Sequence, residues 1–130
     1  MVRRLMTISA GYLGAVGVAL LLAPVQFGVD AVPRDASPEL VAFLRLLSGP
    51  LLGIAVLNWM SRDTTASRTA LTPVLVANFV GFGVVALNDV VGVVTGDARD
   101  LARGFLVVHV AFACAFALAW RRPASTRSRS

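Results

Sequence analysis

The stretch LTPVLVANFVGFGVVALNDVVGVV, residues 71–94, is apolar along nearly its whole length and contains one ionisable residue, Asp89. A helix rises about 1.5 Å per residue, so a run of this length crosses the roughly 30 Å hydrocarbon core of a bilayer. Similar apolar runs occupy about residues 5–23, 40–60 and 101–120. The sequence therefore predicts an all-α fold, an integral membrane antiparallel four-helix bundle formed by residues 1–122.

The composition agrees with a membrane protein and narrows the choice of partners. Hydrophobic residues make up 57% of the chain and the mean hydropathy is +0.78, well above the values of an ordinary soluble domain. The basic residues are all arginines, and most lie just outside the four runs. A nucleic-acid binder would instead show a basic patch with interleaved aromatic residues. We predict the lipid bilayer as the main partner and no nucleic acid.

The arginines are distributed unequally between the two sides that four spans define. Eight lie on the side of the chain ends, accompanied by Asp63 as the single acid: Arg3, Arg4, Arg62, Arg68, Arg121, Arg122, Arg127 and Arg129. The other side holds five acidic residues: Asp30, Asp35, Glu39, Asp97 and Asp100. Because arginine and lysine are enriched in cytoplasmic loops, we predict that both termini are cytoplasmic. The predicted location is the cell membrane, as a multi-pass protein of a bacterial inner membrane.

Several residues predict where the helices begin and end. Ser37-Pro38-Glu39 combines a capping hydroxyl, a proline suited to the first helical position and an acid in the first turn. Thr72-Pro73 predicts a second such start, and Pro24 predicts the end of the first span. Thr95-Gly96-Asp97 predicts a turn after the third span. The last residues, 123–130, are rich in arginine and serine and predict a disordered cytoplasmic tail.

Small residues predict how the helices pack. The first span has Gly11, Ala15, Ala19 and Ala23 at four-residue spacing, and the second has a glycine pair, Gly49 and Gly53, around Pro50. Membrane helices associate through such smooth surfaces, which allow close approach. We interpret these stripes as contacts within the bundle. A homodimer face, or a face for another membrane protein, is the alternative.

Three ionisable residues lie inside the spans: Arg45, Asp89 and His109. Such residues are costly in a membrane and usually face the bundle interior, so they form the candidate site. Counting 1.5 Å per residue from the span ends places all three at a similar depth in the outer half of the membrane. Asn88 is adjacent to Asp89 in sequence, and Asn78 shares the helix face of Asp89. We predict that Arg45, Asp89 and His109 form a polar cluster, and the candidate ligand-binding residues are these three together with Asn88 and Asn78.

Two interpretations of this cluster compete. In the structural one, Arg45 and Asp89 form an interhelical ion pair, and His109 is a satisfied polar contact. In the functional one, the cluster is the floor of an outward-opening pocket for an anionic or polar ligand. A third alternative leaves Arg45 unpaired, with its guanidinium extended to the headgroups. Asn58 lies away from the face of Arg45, and we expect it to cap or bridge locally.

Catalytic and cofactor motifs are not apparent in the sequence. His109 and Cys114 are the only histidine and the only cysteine, so a dithiol mechanism and an intramolecular disulfide are excluded. No nucleophile–base set or metal-ligand spacing is present either. We predict a non-catalytic accessory subunit, scaffold or small-ligand binder that is not an enzyme and has no cofactor. A small transporter or channel acting as an oligomer is the alternative.

Two segments resemble known membrane proteins: FLRLLSGPLLG at 43–53 and NWMSR at 58–62. Together with an early apolar span that ends in Ala-Pro, they are similar to small bacterial four-helix membrane proteins of the DoxX-like and DUF4345-like groups and, more distantly, to Erg28-like scaffold proteins. The resemblance covers the whole chain in layout and these two segments in detail. It implies an antiparallel four-helix bundle and transfers no quinone or haem site onto any residue.

Overall fold

The computed structural model describes residues 1–28, 31–63 and 67–121, with the side chain of Arg68 outside the description. The predicted tail at 123–130, together with Arg122 and Asp30, lies outside the described residues. The described chain is all-helical. Its helices are α1 (Val2–Leu22), α2 (Pro24–Phe27), α3 (Pro38–Met60), α4 (Arg68–Thr95) and α5 (Ala102–Arg121).

Four of these helices are long and apolar enough to span a membrane: α1, α3, α4 and α5. Their ends agree with the predicted spans to within a few residues. Many large apolar side chains on them are exposed, among them Leu22, Leu46, Met60 and Val94. An apolar outer surface of this extent is typical of a protein surrounded by lipid rather than water.

Pro24 separates α1 from α2. Helix α1 ends at Leu22, and Ala23 leaves the helical conformation with φ −140°. Pro24 then begins the short helix α2 at its first position, where a missing N–H costs nothing. The predicted end of the first span is confirmed, whereas the one-turn helix α2 had no counterpart in the sequence prediction.

The predicted start of α3 is confirmed. The Ser37 hydroxyl accepts a hydrogen bond from the Leu40 N–H at 3.3 Å, Pro38 is at the start of the helix, and Glu39 is in its first turn. The Ser37 hydroxyl gives a free backbone N–H at the helix start an acceptor. The negative charge of Glu39 interacts favourably with the positive end of the helix dipole. The helix then continues through Pro50 to Met60.

The predicted start of α4 at Thr72-Pro73 is wrong. The helix begins at Arg68 because the Ser67 hydroxyl caps it, accepting from the Ala70 N–H at 3.3 Å, and Pro73 lies inside the helix. The predicted end is confirmed. Helix α4 stops at Thr95, and Gly96 takes the left-handed conformation with φ +81°, which strongly favours glycine. The Ala98 N–H then donates to the Gly92 carbonyl at 3.0 Å and closes the turn.

The long helices pack as two pairs, α1 with α3 and α4 with α5, and contacts between α1 and α5 link the pairs. The buried side chains between them form one apolar core, whose larger members are Met6, Leu13, Leu75, Phe82 and Phe116. By contrast, α3 and α4 have at most a marginal backbone contact. The two pairs therefore leave space between α3 and α4.

The predicted small-residue stripe of α1 is not its packing face. Gly11 and Ala15 are exposed, and a Cβ built on Gly11 would meet nothing within 4 Å. The buried face contains Met6, Ala10, Leu13 and Gly17 instead. Gly17 is the close contact with α3, because a Cβ there would lie 2.8 Å from Leu52 Cγ. Gly49 and Gly53 of α3 are also exposed, with nothing within 4 Å of either Cβ position.

Candidate functional site

Three polar side chains from three helices form a continuous hydrogen-bonded chain. His109 on α5 is its centre: Nδ1 lies 2.6 Å from Asp89 Oδ2 on α4, and Nε2 lies 2.6 Å from Tyr12 Oη on α1. The side chains of His109 and Asp89 are 12% and 14% exposed, so both are largely shielded. We call Tyr12, His109 and Asp89 the Tyr–His–Asp chain.

The chemistry of each group sets the direction of these hydrogen bonds. An ionised carboxylate only accepts, so with Asp89 ionised the N–H of His109 is at Nδ1. In the neutral ring Nε2 is then the acceptor, and the Tyr12 hydroxyl donates to it. Each N–H and O–H donor of the chain has a partner in this arrangement. Neither His109 nor Tyr12 leaves a donor unpaired in apolar surroundings, which would be costly.

Aromatic rings surround this chain. The His109 ring lies 6.1 Å from the Phe105 ring and 6.1 Å from the Phe82 ring, measured between centroids. The Tyr12 ring lies 5.4 Å from Phe112 and 6.2 Å from Phe82. These rings pack around the imidazole and the phenol and shield them from water.

The Tyr–His–Asp chain lines a cavity of about 420 Å³ between the two helix pairs. The walls are mostly apolar. Helix α3 contributes Leu51 and Ile54, and α4 contributes Ala77, Gly81 and Val85. All of these except Leu51 are also exposed on the molecular surface. The cavity is therefore open on the side where α3 and α4 do not meet.

Arg99 lines a different part of the same cavity. Its Nη1 donates to the Phe27 carbonyl at 2.7 Å, and its guanidinium lies 5.7 Å from the Phe27 ring and 5.4 Å from the Phe105 ring. Cation–π contacts at these distances hold an arginine beside aromatic faces. Phe105 thus contacts both the guanidinium of Arg99 and the imidazole of His109. The cavity consequently has one positive region and one region with a carboxylate.

A second polar group closes the other end of the cavity. Asn58 on α3 and Asn78 on α4 exchange two amide hydrogen bonds of 2.8 and 2.7 Å, and Asn58 also donates to Ser9 Oγ on α1 at 3.1 Å. Asn78 donates its remaining N–H to the Val74 carbonyl at 2.8 Å. We call Asn58 and Asn78 the amide pair. Both are buried, and together they bridge α3 and α4 where the backbones are apart.

The structure brings together some of the predicted site residues and separates others. Asp89 and His109 are in direct contact, and Asn78 lines the cavity with them. Arg45 and Asn88 are exposed and do not line the cavity. Among the described residues, Asp89 bonds to His109 and not to Arg45, so the predicted Arg45–Asp89 pair is wrong. Helix α3 turns Arg45 away from the cavity.

Sequence reasoning missed four participants: Ser9, Tyr12, Asn58 and Arg99. Tyr12 is the only tyrosine and lies deep in an apolar span, where its hydroxyl requires a partner, but the partner is 97 positions away. The expectation that Asn58 caps or bridges locally is wrong, because it joins three helices. The fully buried Ser9 hydroxyl also donates to the Met6 carbonyl, which is local and typical of membrane helices.

In the described part of the chain, no three His, Cys, Asp or Glu side chains lie close enough together to bind a metal ion. Cys114 is an exposed free thiol.

Comparison with known proteins gives no match: no family model, no curated protein and no solved structure is significantly similar to this chain. The resemblance to DoxX-like proteins therefore stays a prediction.

Proposed function

We propose that this chain is a non-catalytic, multi-pass protein of the cell membrane that binds a lipid-soluble small molecule. The single observation that carries the proposal is the cavity of about 420 Å³, which has apolar walls and the Tyr–His–Asp chain at one end. Ligand sites are typically concave, about 300–1,000 Å³ in volume, and mostly apolar with a few placed polar groups. An ionisable side chain inside a membrane-spanning helix is costly and points to the same role.

In the proposed orientation, the four helices form an antiparallel bundle and both termini are cytoplasmic. The eight arginines on the side of the chain ends support this orientation. The Tyr–His–Asp chain would then lie in the outer half of the membrane. Asp89 precedes the end of α4 by about 9 Å, and His109 follows the start of α5 by about 10 Å, at 1.5 Å per residue.

The proposed entry route is lateral, from the bilayer between α3 and α4. Ile54 on one side of this opening and Ala77, Gly81 and Val85 on the other line the cavity and are exposed as well. A lipid-soluble molecule would therefore reach the Tyr–His–Asp chain without leaving an apolar environment. A water-soluble ligand would first have to cross the headgroup region, so the shape of the opening favours a ligand dissolved in the membrane.

Transport by an oligomer is the alternative to binding, and the amide pair disfavours it. A transport pathway must open to both sides of the membrane. Asn58 and Asn78 join α3 to α4 at the end of the cavity remote from Asp89, and both are buried with their amide groups hydrogen-bonded. Opening this end would break two hydrogen bonds between buried groups. A binding protein open on one side accounts for the arrangement without such a step.

Native mass spectrometry of the gently solubilised protein, purified from its own host membrane, tests the proposed function. We expect a small molecule to co-purify with the wild-type chain. Gly81→Phe would fill the cavity, because Gly81 lines it and a Cβ there meets nothing within 4 Å. Gly83→Phe is the matched control, since Gly83 has the same free space and does not line the cavity.

The proposal predicts loss of the bound molecule in Gly81→Phe and its retention in Gly83→Phe. A wild-type protein that carries no small molecule, or equal occupancy in both variants, would contradict it.

A second candidate function, that of an accessory subunit, is favoured by the outer face of α3. Arg45 is exposed there, and Gly49 and Gly53 follow it at four-residue spacing with open space around them. A charged side chain on the outer face of a membrane helix favours a partner. Within the described helices Asp89 is the one carboxylate away from a helix end, and it is paired with His109. The partner that fits is therefore a different chain with a membrane-embedded carboxylate.

The same mass spectra test this second function. Arg45→Gln should remove a stoichiometric protein partner, whereas Arg34→Gln, in the loop before α3, should retain it. A complex that contains two copies of this chain would indicate a homodimer instead. Absence of any complex would support the alternative in which the Arg45 guanidinium extends to the headgroups.

A further inference from the structure

We infer that the molecule bound in this cavity is a neutral lipophile with a hydroxyl group, an alcohol or a phenol, which donates a hydrogen bond to the Tyr–His–Asp chain. This inference rests on the proposed function, because it names the ligand class of the same cavity. It follows from a count of hydrogen-bond donors and acceptors, from the charges on the cavity wall and from the size of the cavity.

The donors of the Tyr–His–Asp chain are used within the chain. With Asp89 ionised and the His109 ring neutral, His109 donates from Nδ1 to Asp89 and the Tyr12 hydroxyl donates to His109 Nε2. Each of these two distances is 2.6 Å. At the other end of the cavity, Asn78 likewise uses both amide hydrogens, one for Asn58 and one for the Val74 carbonyl. A ligand beside Tyr12, His109 and Asp89 therefore meets no donor of these three side chains in need of a partner.

Acceptors, by contrast, are open at this end. Asp89 Oδ2 accepts from His109, and Asp89 Oδ1 has no hydrogen-bond partner within the described residues. The Tyr12 oxygen donates its hydrogen and keeps its lone pairs. A ligand hydroxyl fits this pattern because it supplies the donor. A ketone, an ether or an ester would place its oxygen against other acceptors.

The charges on the wall favour a neutral ligand. The predicted anionic ligand depended on Arg45, and Arg45 does not line the cavity. The cation that does line it is Arg99, which contacts the Phe105 ring and donates to the Phe27 carbonyl. The cavity wall thus includes one cationic and one anionic side chain, Arg99 and Asp89. A carboxylate would be repelled by Asp89 and an ammonium by Arg99.

The volume of the cavity and its apolar walls favour a ligand that carries its hydroxyl group on a larger apolar skeleton. A volume of about 420 Å³ accommodates a ring with an alkyl chain. The flat faces of Phe82 and Phe105 flank His109, and apolar residues of α3 and α4 line the way to the lipid. A ligand with its hydroxyl at Asp89 and its apolar body directed between α3 and α4 satisfies both parts of the cavity.

The test compares two probes that differ in one hydrogen-bond donor. Para-octylphenol carries the hydroxyl, and para-octylanisole carries a methyl ether on the same skeleton. Binding of each is measured by competition against tritiated para-octylphenol on the full chain in lipid nanodiscs. Nanodiscs with the Gly81→Phe variant correct for partition into lipid. We expect the phenol to bind about tenfold more tightly than the ether, which is about 1.4 kcal/mol.

Two further variants test whether the preference for the phenol over the ether depends on the Tyr–His–Asp chain. Asp89→Asn replaces one acceptor oxygen by an amide donor and should reduce the phenol-to-ether ratio to about one. Tyr12→Phe removes the hydroxyl oxygen but frees the Nε2 lone pair of His109 as an acceptor. The phenol should therefore still bind more tightly than the ether in this variant, and a ratio of about one would overturn the inference even if Asp89→Asn does not fold. Asp97→Asn is the matched control and should leave the ratio unchanged.

The outcomes separate this inference from the proposed function. Equal binding of phenol and ether above the Gly81→Phe background, or tighter binding of para-octylbenzoate than of the phenol, would overturn the inference and leave the proposed function standing. Absence of binding of any probe above that background would contradict the proposed function as well.

Discussion

His109 Nδ1 lies 2.6 Å from Asp89 Oδ2, so one imidazole ring joins α5 to α4 at the polar end of the cavity. Through its other nitrogen the same ring contacts Tyr12 on α1. Three helices from both helix pairs therefore meet at one side chain. A change at Asp89 or at Tyr12 is expected to alter the environment of His109 and, with it, the packing of one pair on the other.

Removing the Asp89 carboxylate should destabilise the fold. In Asp89→Ala the Nδ1–H of His109 loses its acceptor in a largely shielded site, so we expect the free energy of unfolding to fall by about 1–3 kcal/mol. Unfolding in mixed micelles, followed by circular dichroism, measures the change. Asp97→Ala, at an exposed position after α4, should have almost no effect. Equal effects of the two substitutions would show that the contact with His109 contributes no stability.

Breaking the amide pair should also destabilise the fold. Asn78→Ala leaves the fully buried Asn58 amide without its reciprocal partner on α4. Polar contacts between membrane helices contribute about 0.6 kcal/mol on average and up to about 1.7, and an unpaired buried amide adds to the loss. We expect a decrease of about 1–2 kcal/mol in the free energy of unfolding. The control is Asn88→Ala on the same helix, where the amide is exposed, and a similar decrease there would refute the assignment.

Two glycines of α1 should respond in opposite ways to alanine. A Cβ on Gly17 would lie 2.8 Å from Leu52 Cγ, so Gly17→Ala forces the Leu52 side chain or the helices α1 and α3 to shift. Overpacking of this kind costs about 1–3 kcal/mol. Gly11→Ala meets nothing within 4 Å and should be neutral or slightly stabilising, because alanine favours a helix over glycine. The same unfolding assay compares them, and a neutral Gly17→Ala would argue against the close approach.

The helices could largely be predicted from the sequence because the bilayer fixes their length and composition. The bounds of α3 followed from Ser37 and Pro38, whose chemistry acts locally. The start of α4 could not be predicted in the same way. Two adjacent signals competed, the hydroxyl of Ser67 and the proline at position 73, and the serine cap determines the start.

The sequence predicted how deep the candidate site residues lie in the membrane, but it did not predict which way each helix is rotated about its axis. Counting residues along each helix placed Arg45, Asp89 and His109 at one level, and Asp89 does meet His109. The rotation of a helix about its axis depends on which face packs inward. Helix α3 is apolar on every side, so its sequence does not mark that face, and packing turns Arg45 outward. Tyr12 was missed for a related reason, since its partner is set by tertiary packing alone.

The protonation pattern of His109 can be read directly, because it is the only histidine of the chain. With Asp89 ionised, ¹⁵N NMR of histidine-labelled protein should show a neutral ring with the hydrogen on Nδ1. Tyr12→Phe should shift the Nε2 resonance and leave Nδ1 nearly unchanged, because Tyr12 donates to Nε2. A hydrogen on Nε2 in the wild-type protein would contradict the donor count on which the ligand class depends.

The most direct measurement of the central claim is the ¹⁵N spectrum of His109 during titration of the nanodisc-embedded protein with para-octylphenol. We expect a shift that saturates in the wild-type protein and in Gly83→Phe and is absent in Gly81→Phe. Binding of a lipophile beside the Tyr–His–Asp chain gives this result, because the probe then changes the surroundings of the imidazole. An unchanged spectrum, or the same shift in Gly81→Phe, would contradict a ligand site in this cavity.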